Sequence, residues 1–183
     1  MFIGLPASPE IRRRWASLLP QVQKSGVRAS WVAPDNLHMT AKFLGETDEG
    51  LIGKVMDAMQ AAFAGLRRSL LSAEGIGFFP NERRPRVLFV RFAKDSTLSA
   101  CHGRLEDRLE ALGYAREERP FEVHMTLARI KEPWPLPLVR RVTDALSGES
   151  WPDFPLVQAA LFESTLTPTG AVYTVRKAVE FLQ

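Results

Sequence analysis

The spacing of apolar residues switches repeatedly along this chain, and each switch marks a new element. Residues 2–6 (FIGLP) read as a short strand. Ser8-Pro9-Glu10 has the signature of a helix start, with Ser8 as N-cap and Pro9 at the first helical position. Ile11, Trp15, Leu18, Leu19 and Val22 follow at helical spacing, and Pro20 is expected to kink or end that helix. Residues 28–33 and 36–45 read as two strands around Pro34-Asp35. Asp48 is the expected cap of a second helix with Leu51, Ile52, Val55, Met56, Met59 and Phe63 on its apolar side. A strand near 70–79, a turn at Pro80-Asn81 and a strong strand over 87–92 come next. Ser96 is the expected cap of a third helix that aligns Leu98, Leu105, Leu109 and Leu112 and ends at Gly113. A strand over 121–130, a proline-rich loop over 133–137, a short helix over 138–147 and strands near 156–164 and 171–181 complete the chain.

Strands and helices in this mixed order do not form strict strand–helix–strand repeats. The pattern predicts an α+β fold with antiparallel sheets rather than a doubly wound parallel one. A chain of 183 residues, 45% hydrophobic and 25% charged, suits a single globular domain spanning 1–183 with a substantial core. No apolar run approaches the roughly 20 residues that span a bilayer, and MFIGLPASPE lacks the layout of a secretory signal. With a single cysteine, Cys101, neither a disulfide framework nor a cysteine-based zinc cluster is available, so a reducing, cytoplasmic setting is expected. The net charge of +3 is mild, but arginines cluster at 12–14, 67–68, 83–86 and 140–141. Arginine suits phosphate recognition, but each such cluster reads first as solvated surface. No GxGxxG or GxxxxGK[ST] phosphate loop and no GxSxG nucleophile turn is present.

The chemistry lies in a duplication. Two of the three histidines stand in the same tripeptide, His38-Met39-Thr40 and His124-Met125-Thr126, 86 residues apart. Their flanks also correspond, NLHMTAKFLG against EVHMTLARIK. In a strand, side chains alternate between faces. His38 and Thr40 therefore share one face, with Leu37, Met39 and Ala41 on the other. His124 and Thr126 are likewise opposed to Val123, Met125 and Leu127. Each strand can pack its apolar face while imidazole and hydroxyl project together, giving two copies of one half-site. Two imidazoles across a cleft, each titrating near pH ~6.5, suit acid–base chemistry at phosphorus. The threonine hydroxyls would hold non-bridging oxygens. Zinc would want further protein ligands, and nothing symmetric supplies them, so no metal and no cofactor are expected. His102 falls beside the apolar side of the third helix and reads as structural, as does Cys101.

The paired His-x-Thr motifs resemble the two-histidine phosphoesterase superfamily, and most closely its RNA 2′,3′-cyclic phosphodiesterase branch, also called 2′-5′ RNA ligase. The resemblance runs through FIGLP, WVAPDNLHMTAKFLGE, GIGFFPNERRPRVLFV, RPFEVHMTLARI and the run at Glu163, Ser164, Leu166, Pro168 and Gly170 to Tyr173. Methionine stands where leucine is frequent at the middle of both motifs. The resemblance implies a bilobal α+β fold with pseudo-twofold symmetry, its two motif strands lining a central cleft. It also implies metal-independent opening of an RNA-terminal 2′,3′-cyclic phosphate to a 2′-phosphate, with reversible 2′-5′ ligation in some members. Carried onto this chain, His38 would be the proton donor, His124 the proton acceptor, and Thr40 and Thr126 the phosphate-binding pair. The symmetry of the motifs leaves the order of acid and base open. Partners would be RNA ends bearing the cyclic phosphate, tRNA fragments among them, with no membrane and a monomeric protein. The competing readings are a nucleotide- or RNA-binding module, and a phosphodiesterase for 2′-5′ oligonucleotides or a small cyclic phosphate.

Phe43 and Arg129 stand five residues after His38 and His124 respectively. An aromatic ring and a guanidinium both stack well on an exposed base, so the two are candidates to sandwich the terminal nucleobase. Strict alternation would turn both away from the histidines. The assignment therefore requires each strand to end, bulge or twist near these positions, between Lys42 and Phe43 in the first motif. The plain alternative is that Phe43 is core and Arg129 a surface charge.

Overall fold

The computed structural model describes residues 1–148, 150–168 and 170–183. Ten strands and four α-helices are present among them: β1 (Phe2–Pro6), α1 (Pro9–Gln23), β2 (Ser30–Trp31), β3 (His38–Phe43), α2 (Ile52–Phe63), β4 (Ser69–Leu71), β5 (Ala73–Phe79), β6 (Val87–Phe92), α3 (Ser96–Glu110), β7 (His124–Arg129), α4 (Leu136–Ser147), β8 (Phe154–Leu156), β9 (Gln158–Thr167) and β10 (Gly170–Glu180). The strands form two four-stranded antiparallel sheets, ordered β10-β9-β1-β3 and β2-β7-β6-β5, and a small β4-β8 pair. This is the expected α+β architecture.

The two sheets correspond. β1 pairs with β3 as β6 pairs with β7, and β9 flanks β1 as β5 flanks β6. Helix α1 packs on α4, and α4 on β5 of the second sheet; α2 packs on α3 and on β9 and β10 of the first. The apolar faces meet in one continuous core that includes Leu5, Trp15, Met39, Met59, Leu105, Met125 and Val139. β3 and β7, one from each sheet, lie against each other at the centre.

Local sequence explains most boundaries. Ser8 accepts a hydrogen bond from the Ile11 N–H, as an N-cap should. Pro20 does not end α1: it lies in the last turns, and the helix runs on to Gln23. The third helix is capped by Asp95, not Ser96, because the Asp95 carboxylate accepts from the Leu98 N–H at 2.6 Å. Gly113, with φ of +93°, turns the chain out of that helix. Asp48 caps a single 3₁₀ turn at Glu49–Leu51 before α2 begins. The predicted strand over 28–33 keeps ladder pairing only at Ser30–Trp31, and a 3₁₀ turn at Pro34–Asn36 delays the next strand to His38. The stretch over 70–79 divides at Ser72 into two strands of different sheets, and the helix predicted from 138 begins at Leu136, with Pro137 in its first turn.

Candidate active site

β3 and β7 carry the duplicated motif with the same burial sequence. His38 and Thr40, like His124 and Thr126, are half-buried, whereas Met39 and Met125 are fully enclosed. Alternation thus places imidazole and hydroxyl on one face of each strand, as their spacing predicts. β3 and β7 lie in contact, and the charge of His124 bears on His38.

Each imidazole is oriented in the same way. The Nδ1 of His38 lies 2.7 Å from the carbonyl of Asn36, and that of His124 lies 2.7 Å from the carbonyl of Glu122. A carbonyl only accepts, so Nδ1–H donates in both and Nε2 is left with its lone pair. Asn36 is itself tied down: its side-chain amide donates to the Ala171 carbonyl in β10 at 2.6 Å. Aromatic rings back both histidines. Phe2, Tyr173 and Phe162 surround His38 at ring-centroid distances of 4.6, 5.4 and 6.0 Å. Phe79 and Phe89 stand edge-on to His124 at 5.0 and 5.3 Å. Glycine makes room for these rings. A Cβ on Gly4 would lie 3.2 Å from His38 Cδ2, and one on Gly77 would lie 2.7 Å from Phe89 Cζ.

Burial between these rings disfavours the charged imidazolium. It pushes His38 down to about 4, with the Asn36 carbonyl opposing and the charge of Arg129 adding to the effect. His124 is lowered as well, mainly by burial and partly by Arg129. The charge of Arg129 thus bears on both histidines.

The strand irregularity needed to turn Phe43 and Arg129 toward the histidines is present, one residue earlier than alternation arguments alone would place it. Gly4 pairs with Thr40 and Ile3 with Lys42, so Ala41 is an extra residue in β3. Phe89 pairs with Thr126 and Leu88 with Ala128, so Leu127 is its counterpart in β7. After each bulge the parity reverses. Lys42 and Ala128 turn inward to join the buried residues, and Phe43 and Arg129 turn outward. Phe43 is 61% exposed, with its ring 6.1 Å from Phe2 on the His38 side of the sheet. It is not a core residue. His102 and Cys101 are buried in α3, as expected of structural side chains. Sequence spacing did not single out Tyr173, Phe2, Phe79 or Phe89, because nothing in the linear pattern separates these rings from ordinary sheet packing. Among the described residues, no group of three or more His, Cys, Asp or Glu side chains is placed to hold a metal ion. No helix among them is long and apolar enough to cross a membrane.

Comparison with known proteins agrees with this geometry. The family described as LigT like phosphoesterase matches residues 5–89 and 92–173. An RNA 2′,3′-cyclic phosphodiesterase of Thermotoga maritima is 28% identical over 185 residues, covering 98% of this chain and 94% of the relative. One of Thermus thermophilus is 36% identical over 155 residues, covering 79% of this chain and 71% of the relative. A crystal structure of a protein from Thermus thermophilus superposes with a TM-score of 0.74 at 27% identity, covering 98% of this chain and 96% of that one. With the family match spanning almost the whole chain and both His-x-Thr strands, this protein is a member of the LigT-like phosphoesterase family.

Proposed function

We propose that this phosphoesterase is an RNA 2′,3′-cyclic phosphodiesterase that opens a terminal cyclic phosphate to a 2′-phosphate, using His38 and His124 as an acid–base pair. The observation that carries the reading is the duplication itself: two imidazoles with Nδ1 bound to a carbonyl at the same 2.7 Å, on contacting strands. In-line displacement at phosphorus needs a proton acceptor on the entering side and a donor on the leaving side. Water attacks phosphorus, and the bond to the 3′-oxygen breaks. In the assignment carried by family resemblance, His124 Nε2 takes the proton from water and His38 gives one to the departing 3′-oxygen. Thr40 and Thr126, beside the histidines, donate to the non-bridging oxygens as charge builds there. The depressed basicity of both rings keeps them neutral in the empty site near pH 7. The anionic diester raises both when it settles between them, and the one proton the pair needs is then held more readily. Phe43 and Arg129, on the same side as the histidines, stack on the terminal base. The protein acts as a monomer in the cytoplasm, on RNA ends that include tRNA fragments.

The test is product analysis on an RNA oligomer ending in a 2′,3′-cyclic phosphate, with and without EDTA. A 2′-phosphate product formed equally in both is expected. A 3′-phosphate product, no turnover, or turnover that EDTA abolishes and zinc or manganese restores would overturn the reading.

A further inference from the structure

Lys42 lies two residues after Thr40, on a strand beside the cleft, yet only 7% of its side chain is exposed. Its Nζ donates to Glu106 Oε2 and to the Ala115 carbonyl, each at 2.6 Å. Glu106 Oε2 also accepts from the Glu117 N–H at 3.0 Å. One turn back on α3, His102 Nε2 donates to the Ala41 carbonyl at 3.0 Å, and its ring stacks on Phe121 at 4.1 Å. Ala41 is the extra residue of the β3 bulge. The segment held from the other side, 115–121, leads directly into Glu122, whose carbonyl orients His124. The network therefore joins the bulge in β3 to the approach to β7.

A buried ion pair is a poor source of stability, because desolvation offsets most of the attraction. Its directional bonds do specify geometry. Lysine ordinarily faces water, and in a regular strand Lys42 would share the cleft face with His38 and Thr40 while Phe43 pointed inward. A one-residue change of register exchanges the two faces. The second motif meets no such conflict: Ala128, small and apolar, goes inward unaided.

We propose that Lys42, Glu106 and His102 are positioning residues that hold the β3 bulge and so present Phe43 to the nucleobase of the substrate. The proposal rests on the RNA-end reading given above. Lys42 acts through Phe43, on the base side of the site, and not on the phosphate chemistry.

The test uses the double variant Lys42→Met/Glu106→Leu, which removes both charges together and leaves neither buried alone. KM and kcat are measured for a cyclic-phosphate-ended RNA dinucleotide and for ethylene phosphate, a base-free five-membered cyclic diester. Loss of one stacking contact corresponds to a rise in KM of roughly five- to hundredfold for the dinucleotide. KM for ethylene phosphate, and kcat on both substrates, should stay within about twofold. Where the double variant does not fold, His102→Leu, which removes the bond to the Ala41 carbonyl and the ring stacked on Phe121, should show the same split to a smaller degree. An unchanged ratio of the two KM values, including an equal loss on both substrates, would overturn the proposal. If wild-type protein turns over neither substrate, the functional reading fails by itself. The positioning role is then read from dissociation constants for adenosine 2′-monophosphate and inorganic phosphate, where only the former should weaken.

Discussion

The two motif strands are alike where they would touch phosphate and unlike everywhere around it. β3 and β7 share the His-Met-Thr tripeptide, the Nδ1 bond to the carbonyl two residues earlier, the burial sequence and the bulge after threonine. Past the bulge they diverge. β3 turns a lysine inward and a phenylalanine outward, and β7 turns an alanine inward and an arginine outward. His38 is enclosed by Phe2, Phe162 and Tyr173, a cluster separate from the main core, whereas His124 has Phe79 and Phe89 edge-on. A tetrahedral phosphate can be gripped equivalently from two sides, so its half-sites can stay the same. A nucleobase has no such symmetry, so the surroundings carry the asymmetry.

Substitutions test how far the likeness extends. The largest effect is expected at the histidines. His38→Ala and His124→Ala should each lower kcat/KM by roughly 10²- to 10⁴-fold with the fold intact by circular dichroism. Because the two act as a unit, the double variant should lose little more than either single one. Near wild-type turnover by either single variant would remove the acid–base pair. Next come the threonines. Thr40→Ala and Thr126→Ala each delete one charge-assisted hydrogen bond, worth about 1.5–3 kcal/mol, and should lose roughly ten- to hundredfold in kcat/KM. Similar losses would confirm that the phosphate is held symmetrically, and a large inequality would break the comparison at its strongest point.

The unlike positions give smaller and more selective effects. Phe43→Ala and Arg129→Ala should each weaken binding of an RNA end by about 1–3 kcal/mol while sparing a base-free cyclic phosphate. Equal effects on both ligands would show that these side chains do not hold the base. The pH profile gives the finest distinction. In the free enzyme both imidazoles protonate below their ordinary value, His38 at about 4. The active form has one ring protonated and one not, so its population peaks midway between the two pKa values. A bell-shaped kcat/KM with its maximum below pH ~6.5 is therefore expected. The profile of kcat, measured with the diester bound, should lie at higher pH. A kcat/KM maximum above pH ~7 would contradict the burial effect at His38.

Much of this site is legible in the linear sequence because its signal is local and repeated. Period-two alternation alone puts His38 with Thr40 and His124 with Thr126, and Ser8-Pro9 and Gly113 mark helix ends through interactions within one turn. Legibility fails where a distant partner decides. The carboxylate that caps α3 belongs to Asp95 and not to the neighbouring Ser96, a choice between two competent side chains made by the backbone path. The strand predicted over 28–33 keeps ladder pairing at Ser30–Trp31, opposite Arg129 and Ala128 at the end of β7, and the turn at Pro34–Asn36 diverts the chain soon after.

Lys42 shows the division most clearly. Its own chemistry assigns it to solvent, and alternation assigns it to the same face as the histidines. It is buried because Glu106, 64 residues later, supplies a carboxylate at 2.6 Å and Ala115 supplies a carbonyl at the same distance. The sequence by itself determined the duplicated imidazole–hydroxyl pairs and the α+β class, since both follow from residue types at short, regular spacing. Only the tertiary structure decided that β3 and β7 meet, that burial among aromatic rings lowers the basicity of both histidines, and that a bulge in each strand turns Phe43 and Arg129 outward on the histidine side. Those outcomes depend on pairing register and on buried partners far along the chain, and no local period encodes them.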